Sequence, residues 1–379
     1  MDNLTHTLFA ATLARTPLGR AGRGTAAALI IASNVPDIDI VTTAGGAISY
    51  LRWHRGPTHG PIGIIGLGLV TAAIVSLAYR FVAPLKRRPT GEKPDQASDV
   101  ASFGMLAVVS VIGALLHVLM DLPTSYGTRV LSPFDWHWFA VDWMPIIDVL
   151  LVAVLAAGLL FGRPSIDARR RNAVIALTLM AANYGVRAVA HHQALTLAPR
   201  LFGPTLPRPC DSAPIPASIL DSWPRDRTTV SHAASGTRCL VEIAAMPTFL
   251  SPFSWRIVAH MSNAYEIHDI DLLDRRFRQS ASDTEVFWRQ VLRYPNMWNP
   301  AIEKAATTRV GRVFLGFSRF PAARSVVDSS GVTVVRWNDM RFVGGVTPSD
   351  EPVRRSMGLF SATVRIGPDG RIIQETLGR

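Results

Sequence analysis

The chain has 379 residues, 48% of them hydrophobic and 18% charged, with a formal net charge of +11. The length alone would suit two or three soluble domains, but the apolar residues crowd into the first half and exclude a wholly soluble protein. No basic-aromatic strip or zinc-finger spacing accompanies the positive charge, which argues against nucleic acid as a partner.

The opening MDNLTHTLFAATLARTPLGR contains an apolar stretch without a basic region before it, so it does not read as a cleavable signal peptide. A second stretch, GTAAALIIASNV, follows at 24–35. Both are short for a spanning helix, and each is either a thin span or a re-entrant piece. The runs at 60–84, 102–122, 145–161 and 172–190 have the roughly 17–25 residues that cross a bilayer as helices. The fold class expected is therefore mainly α: a polytopic helical membrane domain of about six apolar segments over residues 1–195. A Pro-rich linker follows at 196–224, then a soluble α+β domain with an antiparallel sheet at 225–379.

Loop charges orient the six segments. Arg15, Arg20 and Arg23 lie in the first loop, Lys86, Arg87, Arg88 and Lys93 in the third, and Arg163, Arg169, Arg170 and Arg171 in the fifth. With six passes these loops share one side, which the positive-inside tendency makes cytoplasmic. The amino terminus, the other loops and the carboxy-terminal domain then face outside, on the exoplasmic or periplasmic side of the inner membrane.

Titratable residues gather at that outer face. His6 lies in the first segment, and Asp37 and Asp39 follow the second in NVPDID, where Pro36 breaks the helix. His54 and His59 flank the Gly-Pro turn of WHRGPTH before the third. His117 and Asp121, four apart in ALLHVLMDLPTSYG, project from one helix face. Imidazole and carboxylate together suit zinc, manganese or iron better than calcium. The set is large enough for one to three divalent ions.

Each residue also has an ordinary alternative. A lone His6 can be structural, Asp37 and Asp39 can end a helix, and His117 with Asp121 can be a hydrogen-bonded pair tying helices together. Titratable groups inside membrane segments are nonetheless functional by default. Arg55 offers a fork of donors for a phosphate or carboxylate, or else neutralises Asp37 or Asp39 or anchors at the lipid interface. Thr124, Tyr126 and Arg129 are candidates to line a substrate groove. Asp135, His137, Asp142 and Asp148 are weaker site candidates, and His191 with His192 reads as an interfacial pair.

The order THT, NVPDID, HRGPTH and HVLMD followed by TSYG resembles the YdjM-type family of inner-membrane-associated metal-dependent hydrolases, over roughly residues 1–160. The His-x-x-x-Asp element is more distantly similar to the zinc phospholipase C and P1-nuclease group, whose amino-terminal tryptophan this chain lacks. The resemblance implies the ligands His6, Asp37, Asp39, His54, His59, His117 and Asp121.

Beyond 225, alternating segments at 237–246, 254–261, 312–320, 331–337 and 359–377 predict strands, the last pair joined by a Pro-Asp-Gly turn. A helical insert is expected near 283–307. His260 and His268 read as structural. Cys210 and Cys239 form a disulfide if exported, or are two buried thiols.

Residues and resemblance together lead to the expectation of a membrane-bound metal-dependent hydrolase. It would cleave ester or phosphoester bonds of a lipid or other amphiphilic substrate, with Asp39 as base and Arg55 binding the anionic group. The alternatives are a non-catalytic metal-binding or transport protein, and a signalling or assembly protein with a structural metal. Oligomeric state is open.

Overall fold

The structure is a computed structural model, and it describes residues 1–82, 100–161, 165–201, 209–210, 219–224, 239–274, 292–296, 298–343 and 360–378. The chain divides into two units: Met1–Val41 with Arg55–Arg187, and Thr42–His54 with Ala188–Arg379. The boundary falls inside a helix rather than in the Pro-rich segment, much of which lies outside the described residues.

The first unit holds α1 (Asn3–Leu13), α2 (Thr25–Ala32), α4 (Pro61–Val82), α5 (Phe103–Asp121), strand β1 (Trp138–Ala140), α6 (Val149–Leu160) and most of α7 (Ile166–Leu197). A 3-10 helix, Val35–Gly45, follows α2, and α3 (Gly46–Trp53) belongs to the second unit. Side-chain caps start three of these helices: Asp2 accepts from Thr5 N, Ser102 from Met105 N and Asp148 from Leu151 N. Glycines let helices approach closely. A Cβ on Gly113 would lie 3.0 Å from Ala32 Cβ, and one on Gly68 2.7 Å from Val111 Cγ2.

Six spans are not found among the described residues. Pro61–Phe81, Phe103–Asp121 and Ile166–Leu197 are long and apolar enough to cross a membrane, and α2 with the bent segment after it makes a fourth candidate. At about 1.5 Å per residue, α1 and α6 fall well short of the roughly 30 Å hydrocarbon core. The run at 145–161 overstated α6 because Pro145–Ile147 is apolar but not helical, so the helix starts at Val149.

The described basic residues of the first and fifth loops nevertheless lie together. Arg15 donates to the carbonyls of Gly158 and Leu159 at the end of α6, at 3.1 and 2.9 Å. Asn172 donates to Phe161 O at 2.6 Å, and Ala101 N to Arg23 O at 3.1 Å. Arg15, Arg20 and Arg23 therefore share one end of the unit with the α6–α7 connection and the start of α5. Lys86, Arg87, Arg88, Lys93 and Arg163 lie outside the described residues. His59, Asp121 and Asp148 sit at the other ends of α4, α5 and α6.

The second unit contains β2 (Asp221–Trp223) and two four-stranded antiparallel sheets. One runs β3 (Leu240–Pro247), β4 (Ser254–Met261), β5 (Ala264–Asp271), β6 (Leu292–Pro295) in spatial order. The other is ordered β10 (Ile372–Leu377), β9 (Ser361–Ile366), β8 (Thr333–Asp339), β7 (Pro321–Val327). Val258, Tyr265 and Ile267 of the first pack with Phe320, Ala322 and Met340 beside the second. On the other face of the first sheet, Ala190 and Ala194 of α7 and Ala198 of the 3-10 helix that follows it (Ala198–Leu201) join Trp255, Ile257 and Ala259. Helices α8 (Pro300–Ala306) and α9 (Arg309–Phe317) complete the unit.

The expected strand at 312–320 is instead helix α9. Thr308 caps it by accepting from Gly311 N at 3.1 Å, and Val310, Phe314 and Phe317 fall on its buried face at helical spacing. Of the helical insert expected at 283–307, residues 283–291 and 297 lie outside the described residues; Leu292–Pro295 is strand β6 rather than helix, because it pairs with β5, and α8 occupies the end.

Cys210 and Cys239 are joined in a disulfide with a sequence separation of 29. A cross-link closing a loop of that length is worth about 3–4 kcal/mol on the chain-entropy account. Replacing both cysteines by serine is expected to lower the urea midpoint of the β-rich unit accordingly; an unchanged midpoint contradicts this.

Candidate metal centre

Three segments of the first unit bring four polar side chains to one point. Pro36 and the 3-10 helix after it aim Asp37 inward. The turn closed by His59 N donating to Gly56 O at 2.9 Å brings in His59. The next residue must be glycine, since a Cβ on Gly60 would lie 1.7 Å from Ser132 O. His117 and Asp121 come from consecutive turns of α5.

Ligand atoms of Asp37, His59, His117 and Asp121 all lie within 4.8 Å of one another. His59 Nε2 and His117 Nε2 are 3.3 Å apart, and each is 3.5 Å from both Asp37 Oδ1 and Asp121 Oδ2. A tetrahedron of ligands about 2.0–2.1 Å from its centre has edges of roughly 3.3–3.4 Å, so these spacings suit one ion of zinc size.

Proton placement strengthens the fit. His117 Nδ1 lies 2.8 Å from the carbonyl of Ser33, which can only accept, so Nδ1 carries the proton and Nε2 offers its lone pair to the centre. His59 Nδ1 lies 3.0 Å from Thr58 Oγ1 and 3.9 Å from Asp39 Oδ2, and the carboxylate favours the same tautomer. Burial pushes the His59 imidazole down to about 3, so the ring is neutral at pH 7. Two lone pairs and two carboxylate oxygens then face each other without a proton between them. Asp121 Oδ2 has no hydrogen-bond partner, although Asp121 is fully buried. A divalent cation satisfies all four.

The remaining candidates separate. His6 is buried, stacks on His117 with ring centroids 3.8 Å apart, and places Nε2 3.4 Å from Asp121 Oδ1. Neither ring nitrogen of His6 has a hydrogen-bond partner, so it borders the centre as a further donor. Asp39 accepts from Arg55 N at 2.6 Å and stands behind His59. His54 falls in the second unit, where Tyr50 Oη lies 3.3 Å from its Nε2.

Arg55 has a left-handed backbone, φ 49°, and is buried. Its guanidinium lies 3.1 Å from Asp121 Oδ1, donates to Gly127 O at 3.0 Å and covers the Tyr126 ring. The Met1 amino group also donates to Asp121. Thr124 donates to Asp121 O at 2.7 Å. Arg129 packs between Trp136 and Trp138, and burial pushes its guanidinium down to about 10. Asp135 pairs with His137 on the surface. Asp142 is buried with φ 62°. Asp148 pairs with Arg187. The Ser33 carbonyl and the glycines Gly60 and Gly113 had no sequence signal, because backbone acceptors and close approaches appear only in three dimensions.

Residues 1–194, which include every member of this cluster, match the YdjM inner membrane protein family. The chain belongs to that family. This YdjM protein is also 27% identical over 143 residues to the uncharacterized protein YfhP of Bacillus subtilis (strain 168). That match covers 37% of this chain and 38% of the relative, so it spans well under half of either. No solved structure matches the chain significantly.

Asp39 gives the YdjM centre a test of its surrounding shell. Removing a group that orients a metal-bound histidine costs roughly 10–100-fold in metal affinity. Asp39→Ala is expected to weaken metal binding by that amount in competition with a chromogenic chelator. Unchanged affinity would remove Asp39 from the site.

Proposed function

We propose that the protein is a divalent-metal-dependent hydrolase of the inner membrane, cleaving an ester or phosphoester of an amphiphilic substrate at the exoplasmic face. The observation that carries this reading is the convergence of His59 Nε2, His117 Nε2, Asp37 Oδ1 and Asp121 Oδ2, with the imidazole–imidazole and all four imidazole–carboxylate edges at 3.3–3.5 Å. Zinc fits those spacings; manganese and iron accept the same donors. A bound divalent ion supplies Lewis acidity and a water made acidic enough to attack at neutral pH.

The chain's own groups do the positioning. Asp39 and Thr58 hold the His59 ring, Ser33 O holds His117, and Arg55 holds Asp121. Asp37 is the most accessible of the four, its side chain 16% exposed against 0% for the others, so substrate approaches from its side. Around it Ile38, Ile40 and Val41 are 45%, 55% and 63% exposed. An apolar rim beside a polar centre suits a lipid or similar substrate delivered from the bilayer. The basic loops at the opposite end of the unit favour placing the centre outside the cytoplasm.

One observation favours a second reading. Four protein ligands is the closed pattern of structural zinc, whereas catalytic zinc keeps a position open. A panel of phosphoester and lipid-ester substrates, run on purified protein and on Asp37→Asn, separates the two. The hydrolase reading expects turnover in the wild type and at least about a 100-fold loss in the variant. A wild type that holds metal and turns over no substrate supports the structural one.

A further inference from the structure

The turn between β3 and β4, residues 248–253, exposes two large apolar side chains, Phe249 at 55% and Leu250 at 76%. Leu273, 54% exposed, lies at the same end of the sheet, because Asp271 pairs with Ser254 and Leu272 N donates to Phe253 O at 2.9 Å. Several polar groups of the turn are engaged within the hairpin. Thr248 N donates to Ser254 O, Thr248 Oγ1 to Ser251 O, Phe253 N to Ser251 Oγ and Trp255 Nε1 to Pro252 O. Each polar group satisfied within the turn lowers the desolvation cost of entering the interfacial region of a bilayer.

The direction of this tip follows from α7. The apolar run of α7 ends at His191 and His192, and the His191 ring lies 5.4 Å from the Trp255 ring, at the start of β4. After the 3-10 helix Ala198–Leu201, the chain is next described at the opposite end of the same sheet, where Pro209 bridges Leu240 and Cys210 N donates to Leu240 O. The last turns of α7 thus run from the Trp255 end of the sheet toward the Leu240 end. The 248–253 turn therefore lies at the end of the sheet where the last turns of α7, from Ala188 on, first meet it.

We propose that the β3–β4 turn is a membrane-insertion tip, with Phe249 and Leu250 seated in the headgroup and upper acyl region of the bilayer that α7 crosses. The occupant is the lipid surface rather than a second protein, because a spanning helix delivers the turn to the level of its own interfacial histidines. Insertion would tether the β-rich unit to the membrane at a second point.

The two cysteines are joined in a disulfide, so Leu250→Cys introduces a single reactive thiol into the full chain. An NBD fluorophore on that thiol is measured in phosphatidylethanolamine–phosphatidylglycerol vesicles, with the same label on Ser329→Cys in the exposed β7–β8 turn as the aqueous reference. Insertion predicts blue-shifted emission at 250 and at least about threefold stronger quenching by a nitroxide high in the acyl chain than at 329. Phe249→Cys is expected to behave like Leu250→Cys. Quenching at 249 and 250 by aqueous iodide rather than by lipid overturns the proposal. So does protection from both quenchers, which would place protein over the tip.

Discussion

Purified His117→Ala protein is expected to lose its divalent metal, while His54→Ala keeps it. His117 supplies one of the four converging donors and is oriented by Ser33 O at 2.8 Å. Loss of an orienting group alone costs roughly 10–100-fold in affinity, and loss of the ligand itself costs more. Dialysed His117→Ala should therefore retain under about a tenth of the wild-type metal. His54 is five residues from His59 in the same motif, yet its ring lies in the other unit beside Tyr50, with centroids 4.5 Å apart. Equal loss in both variants would mean that HRGPTH binds as a linear motif and that the assignment of His59 alone is wrong.

The second large effect concerns Asp148 and Arg187, both fully buried, with Arg187 Nε 2.5 Å from Asp148 Oδ2. Asp148 also caps α6 through Leu151 N and accepts from Asn183 at 3.3 Å, which ties α6 to α7. Removing one partner leaves a buried charge uncompensated and costs about 3–5 kcal/mol. Arg187→Leu should lower the thermal midpoint in detergent strongly, whereas Arg187→Leu with Asp148→Leu should recover much of it, because an apolar pair is nearly neutral. A double variant no more stable than the single one would show that the capping bonds, not the ion pair, carry the stability.

The parts of this site that obey a fixed period were legible in the sequence. His117 and Asp121 are one helical turn apart, so any helix through ALLHVLMD brings them together. Asp37 and Asp39 are not so simple. An extended Asp-x-Asp would aim both at one point, but in the 3-10 helix Val35–Gly45 they diverge, Asp37 to the imidazoles and Asp39 to Arg55 N. His54 and His59 are separated by the left-handed residue Arg55, a conformation the letters do not announce.

Span length failed for a related reason. Hydropathy sees apolar composition, not where a helix starts: α6 begins only at Val149, where Asp148 caps it. Strand and helix were confused at 312–320 because short apolar runs fit both periods, and the Thr308 cap decided the matter. The hairpin of β9 and β10 was legible because its turn chemistry is local, with Gly370 N donating to Gly367 O at 2.8 Å.

X-ray absorption at the metal edge of the purified wild-type protein tests the four-ligand centre most directly. Two imidazoles and two carboxylate oxygens at about 2.0–2.1 Å around roughly one ion per chain are the expected result. A protein isolated without stoichiometric divalent metal that also fails to take it up, or a spectrum lacking imidazole scattering, would contradict it.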